Sequence, residues 1–473
     1  MSNLVSKTLC SLSLAALCAS PLQADTLAEV YKIALENDSQ LKAAHAAYKI
    51  GQQSIPLARS GILPKIVATA TFSDGSGDSS ASRTLNTDAG AIVVGQSGEN
   101  DDKNENYSIS LMQPLFDLPA WFAFKQGYDL DKKAQAEFAA AQQDLIINVT
   151  SSYIGVLRAS ETLITAKAEQ RAVGRQLEQT KERFEVGLLP ITDVHEAQAN
   201  FDSRRVDTLE AEGALDIAFE ALEVMTGQTH TSLAGLAEEF PIEATNPPDR
   251  AAWVAFAQSN NFALKAAQLG RDAAEKNAKA KRAEHLPKVT ATLSYADMHQ
   301  TGSIKLDGGG SSQPFTNDST PLSFSIQVNA PLYTGGYVSA ARKIALQELI
   351  QARESLLHAQ RSITQQARSE HLQVKTNSAR VEARKLGITS AQSALEATQA
   401  GYDVGTRNIV DLLLSQRLLY SSQRDYANAR YDYILSMFKL KGVAGLLSPE
   451  DLNTLNTWLK SDIVIGRSDA TKL

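Results

Sequence analysis

The sequence is short of cysteine, of aromatic residues and of long apolar runs, and each shortage closes a class of function. Its 473 residues hold two cysteines, Cys10 and Cys18, both near the N-terminus. If that stretch is an export leader, the rest of the chain carries no thiol, which excludes disulfide staples, thiol catalysis and thiolate metal sites. No segment offers the ~20 consecutive apolar residues that a transmembrane helix needs. Aromatic residues are 6% of the chain, whereas alanine, glutamine and charged residues abound, which is the composition of long helices. A net charge of −7 provides no basic surface for nucleic acid.

What is present begins with the leader. Lys7, an apolar run from Leu9 to Leu17, and Ala24 before the polar Asp25 form a basic start, a short apolar stretch and a small residue at the cut. This predicts a secretory signal peptide over residues 1–24, too short to span a bilayer. Leu9 and Leu17 stand where a lipoprotein signal requires a small residue before its cysteine, so no lipid anchor is expected. An exported chain without a transmembrane helix is periplasmic, secreted, or an outer-membrane β-barrel.

Beyond the leader the sequence is written twice. Leu41-Lys42-Ala43-Ala44 precedes Leu63-Pro64-Lys65, and Leu264-Lys265-Ala266-Ala267 precedes Leu286-Pro287-Lys288 at the same separation. Pro114-Leu115-Phe116 answers Pro331-Leu332-Tyr333, and Val186-Gly187 answers Val404-Gly405. The landmarks predict two structural repeats, residues 25–238 and 251–445. A Pro-containing linker, 239–250, joins them, and a C-terminal segment, 446–473, is expected to pack around the equator of the helices.

Each repeat reads helix, strand, loop, strand, very long helix, tight turn, helix. Tyr107, Ile109 and Leu111 alternate with polar residues, as do Val289, Ala291, Leu293 and Tyr295, and Leu322, Phe324, Ile326 and Val328. One apolar and one polar face suits a half-buried soluble sheet or a barrel with lipid outside and water inside. The stretches Ser73 to Asn106 and Asp297 to Thr320, rich in Gly, Ser, Asp and Asn, read as long polar loops of the kind carried by the outer face of a membrane barrel. Phe116, Trp121, Phe122, Tyr333 and Tyr337 gather at the other strand ends, as an interfacial girdle or as packed core.

Two proline-free stretches, Ala120 to Glu185 and Tyr337 to Asp403, are each predicted as one helix roughly 100 Å long at about 1.5 Å per residue. In the first, Leu145, Val149, Val156, Leu163, Val173, Leu177, Thr180 and Phe184 belong to a seam of alternating three- and four-residue steps, the mark of coiled-coil packing. Gly187 and Gly405 end these helices, and return helices run from Ile191 and Ile409. Four strands per chain cannot close a barrel, and an open edge in lipid leaves backbone groups unsatisfied. Three chains giving about twelve strands close one roomy enough to conduct, with about twelve helical columns forming a hollow cylinder. The expected fold class is thus an α+β membrane protein, a trimeric β-barrel continued by a long α-helical periplasmic tunnel.

The tip sequences Val186-Gly187-Leu188-Leu189-Pro190-Ile191-Thr192-Asp193-Val194 and Tyr402-Asp403-Val404-Gly405-Thr406-Arg407-Asn408-Ile409-Val410-Asp411, with the paired Leu-Pro-Lys and Pro-Leu-Phe/Tyr landmarks, make the chain resemble the TolC family of outer-membrane efflux and type I secretion ducts over nearly its whole length. The resemblance implies a passive homotrimeric channel in the outer membrane of a Gram-negative bacterium, in contact with its lipid. The partners it implies are a periplasmic adaptor, or membrane fusion protein, and an inner-membrane efflux pump or ABC secretion ATPase. No cofactor and no nucleic acid are expected.

The same resemblance assigns the tips their roles. Thr192, Asp193, Tyr402 and Arg407 match positions that latch the tips shut, although Thr192 and Asp193 also suit the first turn of any helix. Gly187, Leu188, Gly405 and Thr406 would receive the adaptor, glycine allowing a close approach of backbone, and the two glycines serve equally as C-caps. Three copies of Asp411 around a threefold axis would form a carboxylate ring, or Asp411 simply answers the helix dipole with Asn408 as cap. The TolC-like pattern has a second acid one turn on, where this chain has Leu414, so a leucine layer is expected to follow the acidic one.

Catalytic patterns are missing. His45, His195, His230, His285, His299, His358 and His371 are not spaced as metal ligands on one helix face, and Gly308-Gly309-Gly310 lacks the strand-to-helix setting of a phosphate cradle. An enzyme is not expected. The competing class, a periplasmic coiled-coil scaffold without a barrel, leaves both alternating-strand hairpins unexplained.

Overall fold

The computed structural model describes residues 24–88, 90–306 and 311–467. All of the expected leader but Ala24, both cysteines and the Gly308–Gly310 run lie outside the described residues. Along the first half the chain forms α1 (Leu27–Asn37), α2 (Ser39–Gln52), α3 (Ser54–Arg59), β1 (Lys65–Thr87), β2 (Gly90–Phe116), α4 (Leu118–Glu185), α5 (Ile191–Thr226) and β3 (Ser232–Leu236). The second half forms α6 (Arg250–Asn260), α7 (Phe262–Ala283), β4 (Lys288–Leu306), β5 (Gln313–Ser319), β6 (Leu322–Asn329), α8 (Tyr337–Asp403) and α9 (Ile409–Val443), followed by α10 (Pro449–Asn456) and β7 (Leu459–Gly466).

Local chemistry sets the breaks at equivalent places in the two halves. Between α1 and α2, the Asp38 carboxylate accepts the Leu41 amide at 2.6 Å; between α6 and α7, the Asn261 side chain accepts the Leu264 amide at 2.9 Å. In each case a short polar side chain ends one helix and caps the next. Asp117 opens α4 by accepting the Ala120 amide at 3.0 Å, and a Lys288 ammonium 3.1 Å away holds the same carboxylate.

The chain divides into two compact units. One comprises Lys49–Ala134 and Ala267–Leu356 and contains an antiparallel sheet in the order β1-β2-β4, with β5 and β6 successively paired along β4. The two short strands therefore occupy one position, and the sheet is four strands wide. The stretches expected to be loops are a correction. Ser73 to Asn106 continues the hairpin ladder as far as the pairing of Thr87 with Gly90, and much of Asp297 to Thr320 pairs as the ends of β4 with β5. Their Gly, Ser and Asn content argues for loops on propensity alone, but once two strands are in register the ladder satisfies backbone groups whatever the side chains.

The other unit holds residues up to Tyr48, Gln135–Ala266 and the chain from Leu357 onward. Its core is drawn from α1, α4, α5, α8, α9 and α10, with Tyr153, Phe219, Leu157, Leu222 and Leu440 among its fully buried side chains. Of the predicted seam on α4, Leu145, Val149, Val156, Leu163, Val173, Leu177 and Thr180 are buried, whereas Ser152, Ala159, Ala166 and Gln170 are half-buried and Phe184 at its end is 39% exposed. Ile146, Tyr153, Ile154 and Leu157 are buried too, so the apolar face of α4 is wider than a two-position seam. A small sheet of β3 and β7 was not foreseen. The Tyr153 hydroxyl donates to Ala234 O at 2.6 Å and to Asp25 O at 3.2 Å, fixing both β3 and the first residue of the expected mature chain onto α4. The guanidinium of the buried Arg430 in α9 donates to Ala237 O just beyond β3.

Candidate functional site

The two hairpin tips are built alike. At the first, Gly187 adopts φ 76° and the Leu188 amide donates to Arg183 O at 2.9 Å. At the second, Gly405 adopts φ 79° and the Thr406 amide donates to Gly401 O at 2.9 Å. These are left-handed caps that only glycine enters without strain, and no heavy atom lies within 4 Å of where a Cβ would sit. Val186, Leu188 and Val404 are each more than 70% exposed, so both turns present apolar side chains on an open surface.

Within one chain no hydrogen bond or ion pair joins Thr192 or Asp193 on the first tip to Tyr402 or Arg407 on the second. Thr192 Oγ1 is 3.4 Å from Asp193 Oδ1, and Arg407 turns back to Asp411 at 3.7 Å. The stem of Arg407 folds over Gly401, where an added Cβ would come within 2.8 Å of its Cγ. Asn408 caps α9 by accepting the Asp411 amide at 2.8 Å, so the capping expectation holds. Asp411 is part-exposed and Leu414, one turn further, is 57% exposed. The Tyr402 ring is 6% exposed, enclosed by Ile409, Leu412 and Leu413, while its hydroxyl is buried without a partner. One contact was missed by sequence reasoning: the Arg183 guanidinium lies 5.0 Å from the Tyr402 ring centroid and 3.4 Å from Asp403. Its residue types are ordinary, and only the apposition of two tips distant in sequence reveals it.

The sheet is the second candidate feature. Ile66, Leu111, Leu293 and Phe324 pair in one row across all four strand positions, and Ala68, Ile109, Tyr295 and Leu322 form the next. Exposure of Ile66 is 70% and of Phe324 68%, so this apolar face has no cover within the chain. The opposite face carries Val67, Ser110, Ser294 and Ser323 in one row and Lys65, Met112, Thr292 and Ser325 in another, with hydroxyls predominant. Above the apolar band Phe72 meets Tyr107 edge to face at 5.5 Å, and Phe72 pairs in register with Glu105, followed across the sheet by His299 and Asp318. At the other strand ends Phe116, Trp121, Tyr333 and Tyr337 are all at least 45% exposed, which disfavours their reading as packed core. Among the described residues no helix is long and apolar enough to cross a membrane, and no cluster of side chains is placed to hold a metal.

Comparison with known proteins agrees with this geometry. The sequence model of the outer membrane efflux protein family matches residues 30–228 and 253–446. The chain is 36% identical over 450 residues to outer membrane protein TolC of Vibrio cholerae, covering 93% of this chain and 95% of that one. It is 32% identical over 453 residues to TolC of Escherichia coli, covering 93% and 86%. The alkaline protease secretion protein AprF of Pseudomonas aeruginosa is 29% identical, covering 90% and 85%. Among solved structures, one of CusC superposes with a TM-score of 0.72 at 15% identity over 89% of this chain and 92% of that one. The Campylobacter jejuni CmeC outer membrane channel does so with 0.69 at 16% identity over 92% and 90%, a likeness of fold.

Proposed function

The chain belongs to the TolC family of outer membrane efflux proteins and is an outer-membrane exit duct for efflux or type I secretion, and we propose that it works as a homotrimer gated at its hairpin tips. The observation that carries the membrane part is the uncovered apolar face. Four strand positions present Ile66, Leu111, Leu293 and Phe324 in register on one side, and a face on which Ser and Thr predominate on the other. Such a sheet needs lipid outside and water inside, and its edges β1 and β6/β5 need partners. Three copies supply about twelve strands and close it.

In this reading residues 25–238 and 251–445 are two repeats, each contributing one strand hairpin to the wall and one helical hairpin to the periplasmic tunnel. Residues 446–473 brace the equator of the helices, α10 and β7 lying against β3 and α1. The channel itself performs no chemistry. Its energy comes from an inner-membrane efflux pump or ABC secretion ATPase, coupled through a periplasmic adaptor that docks on Gly187, Leu188, Gly405 and Thr406. Thr192 and Asp193 of one tip and Tyr402 and Arg407 of a neighbouring tip close the duct by meeting across the assembly. Asp411 and Leu414 line the constriction in successive layers. The test is reconstitution in planar bilayers. Purified protein is expected to give discrete channels with a low resting conductance that rises when Arg407 is removed; a protein that washes off membranes and forms no channels would restore the scaffold reading.

A further inference from the structure

Tyr402 carries two observations that a latch through its hydroxyl does not explain. Its ring is nearly sealed off by Ile409, Leu412 and Leu413, and the buried hydroxyl has no partner. The ring face is where it is held. Arg183, in the last turn of α4 on the first hairpin, lies 5.0 Å from the ring centroid and reaches the Asp403 carboxylate at 3.4 Å with Nη2. Asp403 is oriented for this by Gln399 one turn earlier, whose amide donates to both carboxylate oxygens at 3.3 Å. One guanidinium thus engages a π face and a carboxylate on the tip of the other hairpin.

We propose that Arg183 is a strut that fastens the first hairpin tip to the second within each chain, through the Tyr402 ring face and Asp403, and that breaking it is a step in opening the duct. The inference rests on the duct reading and deepens it by naming a gating residue outside the tip motifs. Cation–π contact and a half-exposed ion pair are each weak. The strut therefore restrains the tips without locking them, and a docked partner helix can displace it.

The experiment is single-channel recording of the full-length protein in planar bilayers, with purified assembly size measured for every variant. Arg183→Ala and Tyr402→Leu are expected to raise the open-to-closed ratio about tenfold per chain. Tyr402→Phe keeps the ring and is expected to open about tenfold less than Tyr402→Leu. Asp403→Asn, which leaves the turn backbone unchanged, is expected to open the channel but to add little on top of Arg183→Ala, because both remove one shared interaction. Equal opening by Tyr402→Phe and Tyr402→Leu would assign the effect to the hydroxyl and overturn the strut, as would full additivity of Arg183→Ala and Asp403→Asn. Absence of channels in the unaltered protein would instead remove the duct reading itself.

Discussion

Arg407 and Asp411 face each other at 3.7 Å, one turn apart at the start of α9. The sequence assigns them to different tasks, one to the latch and one to the constriction, yet in a single chain the cation sits beside the carboxylate. Both side chains are substantially exposed, so the pair is weak and either partner can be recruited elsewhere. Removing Arg407 should then do two things: free the tip and leave the constriction more negative. Arg407→Ser is expected to raise both resting conductance and cation preference in planar bilayers, whereas Arg407→Lys keeps the charge and should shift conductance alone. An increase in conductance with falling cation preference would separate Arg407 from Asp411.

The proposed constriction can be tested at the position one turn beyond Asp411. Leu414 is 57% exposed and lies three positions beyond Asp411 on the same helix face. Leu414→Asp is expected to double the acidic ring and tighten block by a multivalent cation about tenfold or more, since each added charge-assisted contact contributes ~1.5–3 kcal/mol. Asp411→Ala should lower cation preference. If Asp411→Ala leaves the reversal potential unchanged, Asp411 does not line the pore and only answers the helix dipole.

Docking is best tested at Leu188. It is 71% exposed on a turn whose conformation is set by Gly187, so changing it leaves the cap intact. Burying a leucine contributes roughly 1.5–3 kcal/mol, and Leu188→Asp should weaken adaptor binding by about tenfold to a hundredfold while assembly and conductance hold. Unimpaired export in cells would place the adaptor contact elsewhere.

Much of this was legible before the structure because helix ends carry their own chemistry. Gly187, Gly227 and Gly405, all at positive φ, mark helix ends that agree with the expected limits, and the long helices extend over the proline-free stretches. What alternation could not show was how far the hairpins run. Period-two patterning fades after Phe72 and before Glu105, yet the ladder continues. The β3–β7 sheet was hidden because five and eight residues of ordinary composition carry no signal, and pairing across 200 or so residues is not written locally. At the tips, residue types suggested partners but not geometry. Gly401, which makes room for the Arg407 stem, and Arg183, which meets Tyr402, could be found only once the two hairpins were apposed.

The Tyr153 hydroxyl, which ties β3 to α4, has a stability consequence. Tyr153→Phe removes the hydroxyl that donates to the O of the buried Ala234, while Asp25 O keeps the Ala234 amide as donor. Thermal unfolding in detergent is expected to show a loss of about 1–3 kcal/mol. A loss below a few tenths would mean that another donor already serves Ala234 O.

Glu161 predicts a pH dependence. Burial pushes its carboxyl above the ordinary 4.5, with Arg430 opposing. A carboxyl raised in the folded state contributes stability that is present at low pH and lost as pH rises through its folded value. Glu161→Gln should therefore flatten the fall in melting temperature above the ordinary glutamate range and stabilise the protein at neutral pH. A variant less stable than the parent at neutral pH would show that pairing with Arg430 outweighs burial.

The central claim is that one chain builds a third of a closed duct. Native mass spectrometry of the detergent-purified protein measures this directly. The account predicts one species of three mature chains, each beginning at Asp25, that persists on dilution. A monomer as the stable species in detergent would contradict it, because a four-strand sheet with open edges and an uncovered apolar face cannot stand alone in a membrane.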